Sequence, residues 1–120
     1  LIGETVVDAI TLGSQGVVSA EVLADARQLA VIDFEDSRRC EGLSGGQAQR
    51  VSLARAYYRA LTHNTPILIA DEPTSALDSD TELRVIDGLR EFAGRGYTVV
   101  IASHRPAVIA AADHAIEVTA

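Results

Sequence analysis

Ile67-Leu68-Ile69-Ala70-Asp71-Glu72-Pro73 sets four apolar residues before two acids and a proline. A short, wholly apolar run after Pro66 suits a strand buried on both faces of a parallel sheet. The two carboxylates then fall at the strand's carboxyl end, where open α/β sheets bind their ligands. Magnesium takes hard oxygen ligands and keeps several waters, so Asp71 is suited to hold it through water. Glu72, the next carboxylate, is suited to polarise an attacking water. Two merely solvated acids are the plain alternative, but these seldom stand between a buried apolar run and Pro73-Thr74-Ser75.

Downstream, Ser79 with Glu82 reads as a capping box opening a helix to about Ala93. Leu83, Ile86, Leu89, Arg90 and Ala93 set its inner face, and Gly94 and Gly96 end it. Residues 97–102 form a second buried strand, Pro106 suits the first turn of a helix to about Ala112, and residues 114–118 read as a last strand. Upstream, residues 47–61 form a helix with Val51, Ala54, Tyr58 and Leu61 as its apolar stripe and Arg50, Arg55 and Arg59 mostly elsewhere. The resulting β-α-β-α-β order implies right-handed crossovers and a parallel α/β sheet. Residues 1–42 have a different texture. A short helix over residues 4–12 is broken by Gly13 and Gly16. A second helix over residues 20–31 carries Val22, Leu23, Ala26, Leu29 and Ala30 on one side, and residues 33–42 are a charged loop.

The chain has 120 residues, enough for one small domain with a modest core. Aromatics are only 4% of it, so Ala, Val, Ile and Leu must build that core. No apolar run approaches the roughly 20 residues that span a bilayer, and no secretory signal is visible. The chain opens on Leu1 and holds no Met, as expected of a piece of a longer protein. Its net charge is -7 and all ten basic residues are Arg, which argues against binding a phosphate backbone by bulk electrostatics. The single Cys40 cannot form an internal disulfide.

Leu43-Ser44-Gly45-Gly46-Gln47 opens the strongly amphipathic helix. A helix N-terminus offers free N–H groups and a partial positive charge. Gly45 and Gly46 let backbone approach a phosphate, and Ser44 adds a hydroxyl donor. Taken alone, Ser-Gly-Gly would be a simple capped helix. Ser103-His104-Arg105 comes after the second strand, and a histidine there could contact a γ-phosphate. His63 and His114 have no such placement and read as structural.

The continuation Gln47-Ala48-Gln49-Arg50-Val51 and Leu53-Ala54-Arg55-Ala56 makes the glycine segment resemble the ABC signature motif. Ile67 to Pro73 matches the Walker B pattern, with Asp71 on magnesium and Glu72 as general base. Thr74-Ser75-Ala76-Leu77-Asp78 looks like the D-loop, and His104 matches the switch histidine. In this order the motifs resemble the nucleotide-binding domain of ABC transporters over nearly the whole chain. Leu1-Ile2-Gly3-Glu4-Thr5-Val6 looks like the segment after the Q-loop of exporter-type domains. The resemblance implies the C-terminal part of a P-loop NTPase (RecA-like) ATPase domain. Residues 1–42 would belong to the helical subdomain and residues 43–120 to the second half of the core.

It also implies ATP and Mg²⁺ as cofactors, with Leu43, Ser44, Gly45, Gly46, Gln47 and Asp78 as nucleotide contacts. The family works as a head-to-tail dimer, so a second nucleotide-binding domain and transmembrane domains, fused or separate, are the implied partners, at the cytoplasmic face of the inner membrane. Nucleic acid is not among them. The P-loop motif needs a Lys and this chain has none, so it is expected to bind ATP poorly and not to hydrolyse it alone. Loss of the P-loop strand is expected to leave apolar surface exposed and to favour self-association. Gly42 to Arg50 and Ser103 to Ala107 look most like the bacterial heterodimeric exporters of thiol reductants. An importer ATPase subunit has nearly the same motifs. A soluble ABC protein of DNA repair or translation is disfavoured by the acidic charge and the Ser-Ala-Leu-Asp D-loop. A non-enzymatic relic is disfavoured by intact Asp71, Glu72 and His104.

Overall fold

A computed structural model describes residues 5–11 and 19–118. Glu4, Leu12 and the helix breakers Gly13 and Gly16 lie outside them. In chain order the elements are α1 (Val6–Thr11), α2 (Ala20–Leu29), a 3-10 turn (Cys40–Gly42), α3 (Gly45–His63), β1 (Ile67–Asp71), α4 (Ser79–Gly94), β2 (Thr98–Ala102) and α5 (Pro106–Ala111).

The central element is α3, against which α1, α2 and β1 all pack. It starts at Gly45 because Ser44 and Gln47 close a capping box: Ser44 Oγ accepts from the Gln47 amide at 3.1 Å, and Gln47 Oε1 from the Ser44 amide at 3.0 Å. It stops at Asn64, which caps it in the left-handed region at φ 50°. Its buried face (Val51, Leu53, Ala54, Tyr57, Tyr58 and Ala60) meets Val6, Ala9, Ile10, Leu23 and Ala26 of α1 and α2 in one cluster. Phe92 of α4 sets its ring edge-on to Tyr57 at 4.9 Å and stacks on Tyr97 at 4.0 Å. The charged loop over residues 33–42 is held in place: Val6 and Val7 amides donate to Arg38 and Asp36 carbonyls, and Thr5 bridges Arg39.

Three expectations need correction. β1 and β2 form a two-stranded parallel sheet, with Ile67 beside Thr98 and Asp71 beside Ala102, but it is not buried on both faces. Helices α3 and α4 pack on β1 and β2 respectively, and Leu68 is buried. Ile67, Ile69 and Val100 face outward, Ile69 with 72% exposure. Nor do residues 114–118 form a strand. A strand exists only by pairing, and this segment meets neither edge of the sheet; Ile116 stands 89% exposed. Lastly, α4 is capped by Asp78 and not by Ser79 with Glu82. Asp78 accepts from the Thr81 amide at 2.8 Å. Its buried stripe is Glu82, Val85, Ile86, Leu89 and Phe92, while Leu83 and Arg90 face solvent. Packing of Phe92 against Tyr57 fixes that rotation.

Candidate functional site

Parallel pairing in this register brings the carboxyl ends of β1 and β2 side by side, so the loop leaving one strand meets the loop leaving the other. The Glu72 amide donates to the Ala102 carbonyl at 2.7 Å, extending the ladder by one bond. Glu72 itself turns into the left-handed region, at φ 48°. Such a conformation in a side chain with Cβ costs about 1–3 kcal/mol and persists only where surroundings over-determine it. The turn carries the Glu72 carboxylate to His104, the second residue after β2, with Oε1 2.7 Å from Nδ1. The imidazole is 88% exposed and the Glu72 side chain 33%. Glu72 Oε2 is buried with no partner among the described residues, and a buried acceptor without one is rare. The imidazole fixes the direction of a carboxylate whose side chain is still one-third exposed, so a water can approach it there.

Asp71 ends β1 on the exposed face, in line with Ile67 and Ile69. Its exposed carboxylate is a hard oxygen donor at the strand's carboxyl end, a fit for a magnesium ion that keeps its waters. A cavity of about 210 Å³ lies between α3 and this end of β1, lined in part by Gln49, Ser52, Asp71 and Pro73.

The first turn of α3 lies beside the loop that leaves Glu72. A Cβ on Gly46 would come 3.0 Å from the Ala76 carbonyl oxygen, so that position must stay small. No described residue accepts from the Gly45 or Gly46 amide, leaving two donors at the positive end of a 19-residue helix. The donor set fits an anion such as a phosphate. Ser44 and Gln47 spend part of their hydrogen-bonding capacity on the cap, and Leu43 is half-buried before it. Asp78 stands apart, with its oxygens taken by the Thr81 amide and hydroxyl. Those bonds hold its carboxyl below the usual range. His63 and His114 are exposed.

Thus Glu72 and His104 come together, with Asp71 beside Glu72 in the chain on the exposed face of β1. Ser44, Gly45, Gly46 and Gln47 form a separate place at the α3 N-terminus, and Asp78 caps α4. Sequence reasoning missed Gln49, which joins the two places. Its Nε2 donates to the Glu72 carbonyl and to Ser75 Oγ, each at 2.9 Å, and its Oε1 accepts from the Ala76 amide at 3.1 Å. It also missed a buried carboxylate, Glu82, bonded to Thr74 and Arg105. The Ser79–Glu82 spacing suggested a cap and so concealed it.

Parallel strands with two acids and a histidine at their carboxyl ends, beside a glycine-opened helix, fit a fragment of the P-loop NTPase fold. The model of the ABC transporter family matches residues 3–75, more than half of the chain, and the chain belongs to that family. It is 38% identical to the β-(1→2)glucan export ATP-binding/permease protein NdvA of Agrobacterium fabrum, over 94% of this chain and 20% of that protein. It is 47% identical to the macrolide export ATP-binding/permease protein MacB of Salmonella typhimurium, over 72% of this chain and 12% of that one. The chain therefore spans a fifth or less of these relatives. Among solved structures it superposes on the dimeric bacterial ABC transporter cassette MJ0796, with TM-score 0.76 and 30% identity, over 92% of this chain and 50% of the cassette. It also superposes on a bacterial Atm1-family ABC exporter with ATP bound, with TM-score 0.75 and 31% identity, over 92% of this chain and 20% of the exporter.

Proposed function

We propose that this chain is part of the ATP-hydrolysing domain of an ABC exporter, working at the cytoplasmic face of a membrane and driving transport through membrane-spanning domains. The export proteins among its relatives support that direction. The observation that carries the chemistry is the Glu72–His104 contact at 2.7 Å on a carboxylate that remains partly open to solvent. In this reading Glu72 is the general base: its partly exposed carboxylate accepts a water proton while the imidazole holds its direction. His104, its ring open to solvent, senses the terminal phosphate. Asp71 is the residue that would hold Mg²⁺. The ion, when bound, neutralises charge developing on the phosphates. Residues 1–42 belong to the helical subdomain and residues 43–120 to the second half of the core.

The domain acts as a head-to-tail dimer, a reading supported by the dimeric cassette among its structural neighbours. Residues 44–47 then close over one ATP while Asp71 and Glu72 serve another, and Gln49 links the two places within one chain. The test is E72Q in the full-length protein. ATP should stay bound in a persistent dimer, with kcat lowered at least about a hundredfold and KM for ATP little changed. Turnover at the wild-type rate removes Glu72 from this role.

A further inference from the structure

The loops bearing Glu72 and His104 are joined a second time, deeper in the molecule. Glu82, on the first turn of α4, is only 5% exposed. Its Oε2 accepts from the hydroxyl of buried Thr74 at 2.7 Å and from Arg105 Nε at 2.7 Å, and its Oε1 accepts from Arg105 Nη2 at 2.9 Å. Thr74 stands two residues after Glu72, and Arg105 one after His104. A buried carboxylate is a poor stabilising element, since an apolar residue of similar volume usually packs the same place at least as well. What it supplies is a fixed geometry, because a planar guanidinium on a carboxylate admits one arrangement.

We infer that Glu82 is a positioning residue for the phosphoryl-transfer site: through Thr74 on one side and the Arg105 fork on the other, it fixes the register of the Glu72 loop against the His104 loop. This rests on the reading that Glu72 and His104 do the chemistry. Both need the support. Glu72 holds a left-handed φ of 48°, and the His104 ring, mostly in solvent, is directed largely by the backbone beneath it. That backbone is braced on its far side by the Arg105 amide bond to Ser103 Oγ at 3.0 Å and by the Arg105 side chain on Glu82. Release of the clamp lets the imidazole drift from Glu72 by about 1 Å, enough to spoil the contact.

The test uses the full-length transporter with E82Q and R105A, each made in the wild type and in an H104A background, reading kcat, KM for ATP and the melting temperature. Each single substitution should lower kcat by about tenfold to a hundredfold, the range expected for misplacement by about 1 Å, and leave KM within about threefold. In the H104A background R105A should not lower kcat further, and E82Q should lower it by a smaller factor than in the wild type. Equal fractional losses in both backgrounds, or full activity in both single variants, overturn the proposal. If E82Q or R105A fails to fold, R105K, which keeps a positive charge beside the buried Glu82 and removes the planar fork, decides alone. If H104A turns over at the wild-type rate, the reading beneath is wrong, and the proposal falls with it.

Discussion

Glu72 shows how much one residue's backbone decides. Were it extended like the strand before it, its side chain would keep to the alternation of β1; in the left-handed turn it reaches His104 instead. Other residues carry consequences that a solution measurement can read. The Tyr57 hydroxyl is buried with no partner among the described residues, and burial raises its pKa. Y57F, which removes only that oxygen, should therefore raise stability by about 1 kcal/mol, since an unpaired buried hydroxyl carries a desolvation cost. Chemical denaturation of the two chains checks this. The carboxyl of Glu82 is held below its ordinary value of 4.5, chiefly by Arg105 and then by Thr74. A depressed folded-state pKa contributes stability that is fully present above the ordinary value and is lost as pH falls through the folded one. Asp25, lowered by the Arg95 guanidinium, acts in the same direction. The melting temperature should accordingly fall as pH drops below 4.5, and less steeply in E82Q. Parallel curves for the two proteins would show that Glu82 does not contribute.

Between elements, α4 approaches α2 tightly at Gly88, where an added Cβ would lie 2.2 Å from the Leu29 carbonyl oxygen at the end of α2. Gly to Ala inside an exposed helix usually gains about 1 kcal/mol. Here the sign reverses: G88A should cost about 1–3 kcal/mol through overpacking, measurable as a lower denaturation midpoint. The Arg95 fork on Asp25, at 2.7 and 2.9 Å, braces the same pair of helices from outside. Much at this scale was legible from local signals. Pro66 and the apolar run fix β1; Ser44 and Gln47 start α3; Gly94 and Gly96 end α4; the acids and the histidine fall at strand ends as expected. What stayed illegible depends on residues distant in sequence. The face of α4 was misjudged by one position because Leu83 outranks Glu82 in apolarity, and only Arg105, 23 residues away, makes burial of Glu82 tolerable. Gln49 looks like an ordinary helix residue until the loop 23 to 27 residues further on arrives against it. Residues 114–118 alternate like a strand but have no edge to join.

The described residues leave a sheet face apolar and open to solvent, in a chain of net charge -7. Ile67, Ile69 and Val100 stand exposed together on that face, with Ile116 and Val118 exposed at the far end of the chain. Soluble monomers seldom leave contiguous apolar surface and sheet edges open, and the net charge of -7 opposes association only weakly at physiological salt. Light scattering of this chain alone should show self-association, reduced when Ile69 is replaced by Thr; a monodisperse monomer at all concentrations would speak against it. No helix among the described residues is long and apolar enough to cross a membrane.

The central claim is that Glu72 and His104 act as one unit in ATP hydrolysis. It is tested most directly by kcat of the full-length protein in a double-mutant cycle of E72Q, H104A and both together. Residues that act as a unit are non-additive, so the double variant should be no slower than E72Q alone, within about twofold. Losses that multiply, with the double variant slower than E72Q by the full H104A factor, would contradict the claim and separate the two side chains into independent roles.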